Sequence, residues 1–478
     1  MCEQKTKTIE MKIDSSDKRQ IFTQIRNSVI DAALQRLARN SGWLLAAEGV
    51  ALIVSVLQFP LVARLLGTEG YGKAVLIVGW VGLVGSLLGV QTRKTIVKYL
   101  SLYLSNDQNF KALAIVKLGL ILNISLATAS CVTMYIIAPT LSLWLLDSPD
   151  GAILFRAIII RDYFASTTGT TTSVLRVLDR FKWLSVVNAL SSIATFLLVT
   201  IALLNGKEVI GYLTAITIVS VIQSIILLTH SNSTLKLRCG KNWWKADLSI
   251  LQSHQNEIRT MLLSMKLDGL RKVATETADV VILGLFVNIN SVGLYKMGKQ
   301  LATYVSRLSN PIYSAIYPQL ANLYHESGNK YIPKFVGSIT RWMIVAMTAL
   351  ITILLAISGT LVPLIFGKEY IAALPIFYII MLMHIWLVLI WAPGLMLTLG
   401  KARQLMSINL LSAVIMIGSL FILAPVWGIT GAAIALVTNY WVWSALILWY
   451  ISRPFYIRKN VEFCYVSLHS SVTLPCSN

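Results

Sequence analysis

Charge is scarce in this chain. Only 13% of its 478 residues are Asp, Glu, Lys or Arg and 56% are hydrophobic. A soluble domain carries about 25% charged residues, and the mean hydropathy here is +0.70. Acidic groups are scarcest, 21 against 41 basic ones, for a formal net charge of +20. Such a balance can serve nucleic acid, but no zinc-finger spacing, aromatic-basic RNA-binding signature or soluble basic domain is present, so no nucleic-acid partner is expected. Cysteine is also sparse: Cys2, Cys131, Cys239, Cys464 and Cys476 are scattered, odd in number and without a CxxC pair. That pattern argues against both a thiolate metal site and a disulfide framework. No Walker A run appears, so ATP is not the direct drive, and no cofactor is indicated. Residues 1–40 are polar and basic, with no apolar core before a cleavage site, so a cleaved leader is not expected.

What the chain has in quantity is long apolar runs. Twelve windows of about 20 residues are long enough to cross a bilayer. They lie near 42–64, 73–91, 113–137, 153–175, 183–205, 209–229, 262–287, 293–316, 340–364, 372–397, 405–425 and 429–450. Lys and Arg collect in alternate connections: the N-terminal arm, the loop with Arg93, Lys94 and Lys98, and those with Arg180/Lys182, Lys236/Arg238/Lys241, Lys330/Lys334 and Lys401/Arg403. By the positive-inside rule both termini are cytoplasmic. The expected fold is an all-α, multi-pass membrane protein. Its layout is a basic arm (1–41), an N-lobe of spans one to six (42–230), a cytoplasmic linker (231–258), a C-lobe of spans seven to twelve (259–452) and a cytoplasmic tail (453–478). Within the arm, RQIFTQIRNSVIDAALQRLARN (19–40) sets Phe22, Ile25 and Val29 at helical spacing among charges, the pattern of a helix lying on a membrane surface.

The halves repeat at an offset of about 221 residues. Arg180-x-Lys182-x-Leu184-x-x-x-Asn188-x-Leu190 returns as Lys401-x-Arg403-x-Leu405-x-x-x-Asn409-x-Leu411, and RLLGTEGYGKA (64–74) stands opposite LFVNINSVGLY (285–295), aligning Gly72 with Gly293. Two six-span copies pointing the same way predict a pseudo-two-fold axis along the membrane normal, as in transporters that rock two bundles about a central site.

RLLGTEGYG, ADVVILGLFVNINSVGLYKMGKQLATYVSRLSNPIYSAIYPQLANLY (278–324), LIFGKEYIAALPIF (364–377) and VWGITGAA (426–433) resemble the signature stretches of polysaccharide-biosynthesis membrane proteins. These are the O-antigen-type flippases of the multidrug/oligosaccharidyl-lipid/polysaccharide exporter superfamily. The resemblance spans about residues 42 to 452. It implies a two-lobed, MATE-like fold that moves a polyprenyl-diphosphate-linked oligosaccharide across the cytoplasmic membrane of a bacterium. Its implied partners are membrane lipid and the polymerase and glycosyltransferases of the same pathway. The chain departs from the common pattern at ATETAD (274–279) and at VQTRKTIVKY, where span two ends.

The polar residues inside spans are the candidates for function. Asp268, Arg271, Lys272, Thr275, Glu276 and Asp279 share a stripe on span seven, and Lys296, Lys299, Gln300, Thr303 and Arg307 one on span eight. Arg161, Asp162, Thr168 and Thr172 form a third on span four. Such groups face a bundle interior or a watery cavity, because lipid would penalise them by about 2.5–3.5 kcal/mol each on insertion scales. Arg offers a fork for two phosphate oxygens and Lys a mobile point charge. Substrate-binding candidates are therefore Arg161, Arg271, Lys272, Lys296, Lys299 and Arg307, with Arg271 and Arg307 expected on opposite walls. The carboxylates Glu48, Asp268 and Asp279 are candidates for ion coupling, although interhelical and i,i+4 ion pairs would account for the same residues. His384 reads as a hydrogen-bonded packing residue. No catalytic or metal group stands out, so the chain is not expected to be an enzyme. The competing readings are an ion-coupled multidrug exporter on the same architecture, and a membrane-embedded polymerase or glycosyltransferase.

Overall fold

A computed structural model describes residues 15–240, 243–327 and 331–452; the tail lies outside them, as do the side chains of 15–41 and of Asp268, Arg271 and Lys272. Lipid offers no partner for backbone N–H and C=O groups, so a span must satisfy them internally, and no strand occurs among the described residues. The first two spans are the arms of α1 (Ser15–Leu88), which turns at Gly67 with φ 67° and ψ 179°. The last two are the arms of α14 (Ala402–Ser452), which turns at Gly428 with φ 55°. Both turns need positive φ, which glycine alone adopts cheaply. At its start α1 carries the N-terminal arm directly into span one, without a break before Gly67.

Between these helices, α2 (Arg93–Ser105) is a short polar helix and α3 (Asn109–Leu146) is the third span. The fourth consists of α4 (Gly151–Ala165) and α5 (Thr168–Val177), the fifth is α6 (Phe181–Leu204) and the sixth α7 (Glu208–Cys239). Span seven is α8 (Gln255–Glu276) and α9 (Ala278–Leu283), span eight α10 (Ile289–Ser327) and span nine α11 (Ile332–Ile365). Span ten, expected as one helix, is α12 (Leu374–Met381) and α13 (Ala392–Thr398) linked by 3₁₀ turns. Pro375 and Pro393 sit in the first turns of those pieces, where proline starts a helix but cannot continue one.

Seven segments are long and apolar enough to cross a membrane, and two of them, Gly42–Leu88 and Ala402–Ser452, hold two spans each. The spans that fall short of that measure, over 151–177, 255–283 and Ile289–Ser327, are the three with polar stripes. Polarity has drawn them below the apolar threshold, and two of them are interrupted, at Ser166–Thr167 and at Thr277.

The two lobes repeat each other in contacts as well as in order. Asn188 Oδ1 accepts from Gln223 Nε2 at 3.0 Å between spans five and six, and Asn409 Oδ1 accepts from Trp443 Nε1 at 2.6 Å between spans eleven and twelve. Where the lobes meet, a Cβ on Gly72 would lie 2.2 Å from the Ile289 carbonyl oxygen, and one on Gly293 would lie 2.3 Å from that of Thr68. Gly72 matches Gly293 and Thr68 matches Ile289 in the repeat, so this is one contact seen twice, as a two-fold axis requires. It lies on the face opposite the described chain ends, here called distal. Around it Phe59 packs 5.0 Å from Phe366 and 5.8 Å from Tyr71, and Tyr370 Oη donates to the Ala63 carbonyl at 2.9 Å.

On the proximal face the segment joining the lobes packs on the first of them. Ala246, Leu251 and Ile258 share a core with Ile96, Tyr99 and Leu113, Lys117 Nζ donates to the Ala246 carbonyl at 2.8 Å, and Tyr99 Oη donates to Glu257 at 3.3 Å. Span seven reaches back to span two through Lys266, whose Nζ donates to the carbonyls of Ser86, Leu87 and Gly89. A cation there satisfies acceptors left open at a helix C-terminus.

Candidate functional site

The polar spans converge where the lobes face each other. Asp279 opens α9 just after the break at Thr277 and is fully buried. Its Oδ2 accepts from Lys299 Nζ at 2.5 Å and from Tyr295 Oη at 2.6 Å. Lys299 also donates to the Glu276 carbonyl at 3.2 Å, at the end of α8. Tyr295 and Lys299 are one turn apart on α10, so span eight clamps the interruption in span seven through two adjacent side chains. Asp279 Oδ1 has no hydrogen-bond partner among the described residues. Lys299 and Asp279, expected from the sequence as a cation for substrate and a carboxylate for coupling, are brought together as a buried ion pair.

Two chambers lie between the polar spans, the distal one beside this clamp. The distal one, of about 470 Å³, is lined by Ser55 and Gln58 of span one, Arg161 of span four, Tyr212 of span six, and Glu276, Lys296 and Gln300 of spans seven and eight. The proximal one, of about 400 Å³, lies among spans two, three and four and is flanked by Lys266 and Gly269 of span seven. Gly82 and Arg161 belong to both linings, so Arg161 stands where they adjoin. Its Nε donates to Asp162 Oδ1 at 3.0 Å, and among the described residues no other hydrogen bond engages the guanidinium. Four of the five donors of that fork are thus uncommitted.

The remaining candidates are dispersed. Arg307 is exposed, its guanidinium 5.6 Å from the centre of the Tyr304 ring, whose own edge lines the distal chamber. Glu48 is exposed on span one, close enough to act electrostatically on Arg176. Asp268, Arg271 and Lys272 lie on α8 with side chains outside the described residues. His384 is buried, with Nε2 2.8 Å from Ser306 Oγ. The sequence did not point to Lys266, to the proximal chamber or to the Ser55, Gln58 and Tyr212 wall. The available signal was GLVGSLLG in span two, where Gly82, Gly85 and Gly89 recur at helical spacing.

Comparison with known proteins supplies the family. The profile of the polysaccharide biosynthesis protein family matches residues 37–324. A teichuronic acid biosynthesis protein of Bacillus subtilis (strain 168), TuaB, is 22% identical over 326 residues, which are 68% of this chain and 64% of that protein; the chain thus spans under two thirds of its length. Among solved structures, an inward-facing multidrug resistance MATE family transporter of the MOP superfamily superposes with a TM-score of 0.70 at 12% identity, covering 87% of this chain and 99% of that one. The lipid II flippase MurJ, in an inward closed conformation, gives 0.62 at 11% identity, covering 91% and 93%. With a fold shared by a transporter and a flippase, and a family profile matched over more than half its length, this multi-pass membrane chain belongs to the polysaccharide biosynthesis protein family.

Proposed function

We propose that this protein is a flippase, not an enzyme, and carries polyprenyl-diphosphate-linked saccharide repeat units across a bacterial cytoplasmic membrane, from the inner to the outer leaflet. The observation that carries the reading is Arg161, an arginine with uncommitted donors where two chambers with polar groups in their walls meet. A diphosphate entering a bundle needs cations, and a guanidinium fork matches two of its oxygens. Lys296 adds a second cation in the distal chamber. Serine, glutamine and tyrosine groups there suit sugar hydroxyls. The Lys- and Arg-rich proximal loops support a cytoplasmic position for both termini. Transport then alternates between this arrangement, joined distally at Gly72 and Gly293, and one parted there. Asp279, Asp268 and Glu48 are the carboxylates through which an ion would couple, and Arg271, Lys272 and Arg307 extend the cationic path. The enzymes that assemble and polymerise the repeat unit are the expected partners. A cationic-drug exporter would want unpaired carboxylates, whereas here Asp162 is paired with Arg161 and Asp279 with Lys299.

The test replaces Arg161 without leaving its neighbour alone. Arg161→Ala with Asp162→Asn should lower export of the saccharide at least tenfold at unchanged membrane abundance. Asp162→Asn alone should export near normally, and Arg161→Lys should keep part of the activity, since charge survives and the fork does not. Full export by the double variant would remove Arg161 from the path.

A further inference from the structure

We propose that the proximal chamber is a saccharide subsite, taking the sugar next to the diphosphate while Arg161 holds the diphosphate at the junction. The inference rests on the functional reading above and adds where each part of the substrate sits. The chamber walls carry amides and hydroxyls beside that guanidinium: Gln91, Asn123, Ser130 and Ser166. A sugar hydroxyl both donates and accepts, so it needs both kinds of partner within one pocket. Leu126, Met134 and Ile159 add apolar surface that suits the face of a sugar ring, whereas a lipid tail filling the chamber would leave its polar groups without water.

The wall is also fixed in advance. Asn123 Nδ2 donates to Thr92 Oγ1 and Thr170 Oγ1 at 3.1 Å each, tying spans three and four to the start of α2. Lys266 fastens span seven to the end of span two on the proximal side. Rigid surroundings of this sort hold polar groups in place for a ligand. On the span-two side Gly82, Gly85 and Gly89 contribute to the wall. A Cβ on Gly82 would meet nothing within 4 Å, and one on Gly85 would come only to 3.8 Å from Ser130 Oγ and 4.0 Å from Asp162 Oδ2. Side chains are missing there although they would fit, and the space they would take is the chamber. Its volume of about 400 Å³ falls in the range of about 300–1,000 Å³ typical of small-ligand pockets.

Cys131 lines the same chamber, half-buried, and Cys239 lies outside it at the proximal end of α7. In the full chain with Cys2→Ser, Cys464→Ser and Cys476→Ser, N-ethylmaleimide modification of both thiols is followed by mass spectrometry. The protein is exposed to undecaprenyl diphosphate or to the same lipid bearing one N-acetylglucosamine, with binding of each measured separately. The sugar-bearing lipid should slow modification of Cys131 at least tenfold and the bare lipid less than twofold, with Cys239 unaffected by either. Gly85→Leu, which raises helix propensity and projects into the chamber, should abolish that protection and reduce binding of the sugar-bearing lipid to that of the bare one. Gly85→Ala should do neither. Equal protection by both lipids, or none by a sugar-bearing lipid that binds, overturns the subsite while leaving the flippase reading intact. If neither lipid binds, the flippase reading fails and the subsite falls with it.

Discussion

Lys299→Met should remove most of the protein from the membrane. The substitution keeps an unbranched side chain, one heavy atom shorter, and deletes its charge, so Asp279, buried with no exposed surface, is left with Tyr295 alone. Breaking a buried pair from one side costs about 3–5 kcal/mol, a large part of the 5–15 kcal/mol that keeps a typical protein folded. The Glu276 carbonyl loses its donor at the same time, at the point where span seven is interrupted. Asp279→Asn combined with Lys299→Met should restore abundance, because the amide oxygen still accepts from Tyr295 and no charge remains. Export by that restored double variant then reports on the pair itself. Near-normal export makes the pair a structural clamp, and loss of export at full abundance gives Asp279 or Lys299 a part in transport. Normal abundance of Lys299→Met alone would show that the clamp does not hold spans seven and eight together.

Gly72→Val and Gly293→Val should each stop export at least tenfold. A Cβ at either position would lie 2.2–2.3 Å from a backbone carbonyl oxygen of the opposite hairpin, and a backbone atom cannot step aside as a side-chain tip can. The conformation joined at the distal face is therefore disfavoured, and the equilibrium moves toward one in which the hairpins part. Both variants should reach the membrane, and an Asn290→Cys thiol beside the contact should react faster in each. The pseudo-symmetry makes the two effects equal in kind. Unchanged export together with unchanged Asn290→Cys reactivity would show that this contact plays no part in the cycle.

The fold was largely legible because its signals are local or periodic. Apolar length gives spans, loop charge gives their alternation, and the recurrence of Asn188 as Asn409 and of Gly72 as Gly293 gives two lobes. The contacts at those four residues then repeat in space. Interruptions were harder to see. Span ten reads as one apolar run, and only Pro375 and Pro393 betray its pieces. The site was legible as stripes but not as partners. Helical spacing puts Lys296 and Lys299 on one face, yet one lines a chamber and the other turns three residues away into Asp279. That division depends on how span seven is broken and rotated against span eight, which no single-span pattern contains. Lys266 is similar: nothing local to span seven marks its partners, which are carbonyls of span two, about 180 residues earlier. The proximal chamber was hidden because glycine shows as an absence of side chain, and its meaning emerges only when the neighbouring spans leave the space unfilled.

The central claim is that the chain moves a diphosphate-linked sugar lipid from one leaflet to the other. Purified protein reconstituted in liposomes with undecaprenyl-diphosphate-linked N-acetylglucosamine tests it directly, by following how fast the sugar becomes accessible to an impermeant galactosyltransferase outside. The account predicts protein-dependent transfer of the inner-leaflet pool, reduced at least tenfold by Arg161→Ala with Asp162→Asn and by Gly72→Val. Transfer no faster than in protein-free liposomes, or equally fast with those variants, would contradict it.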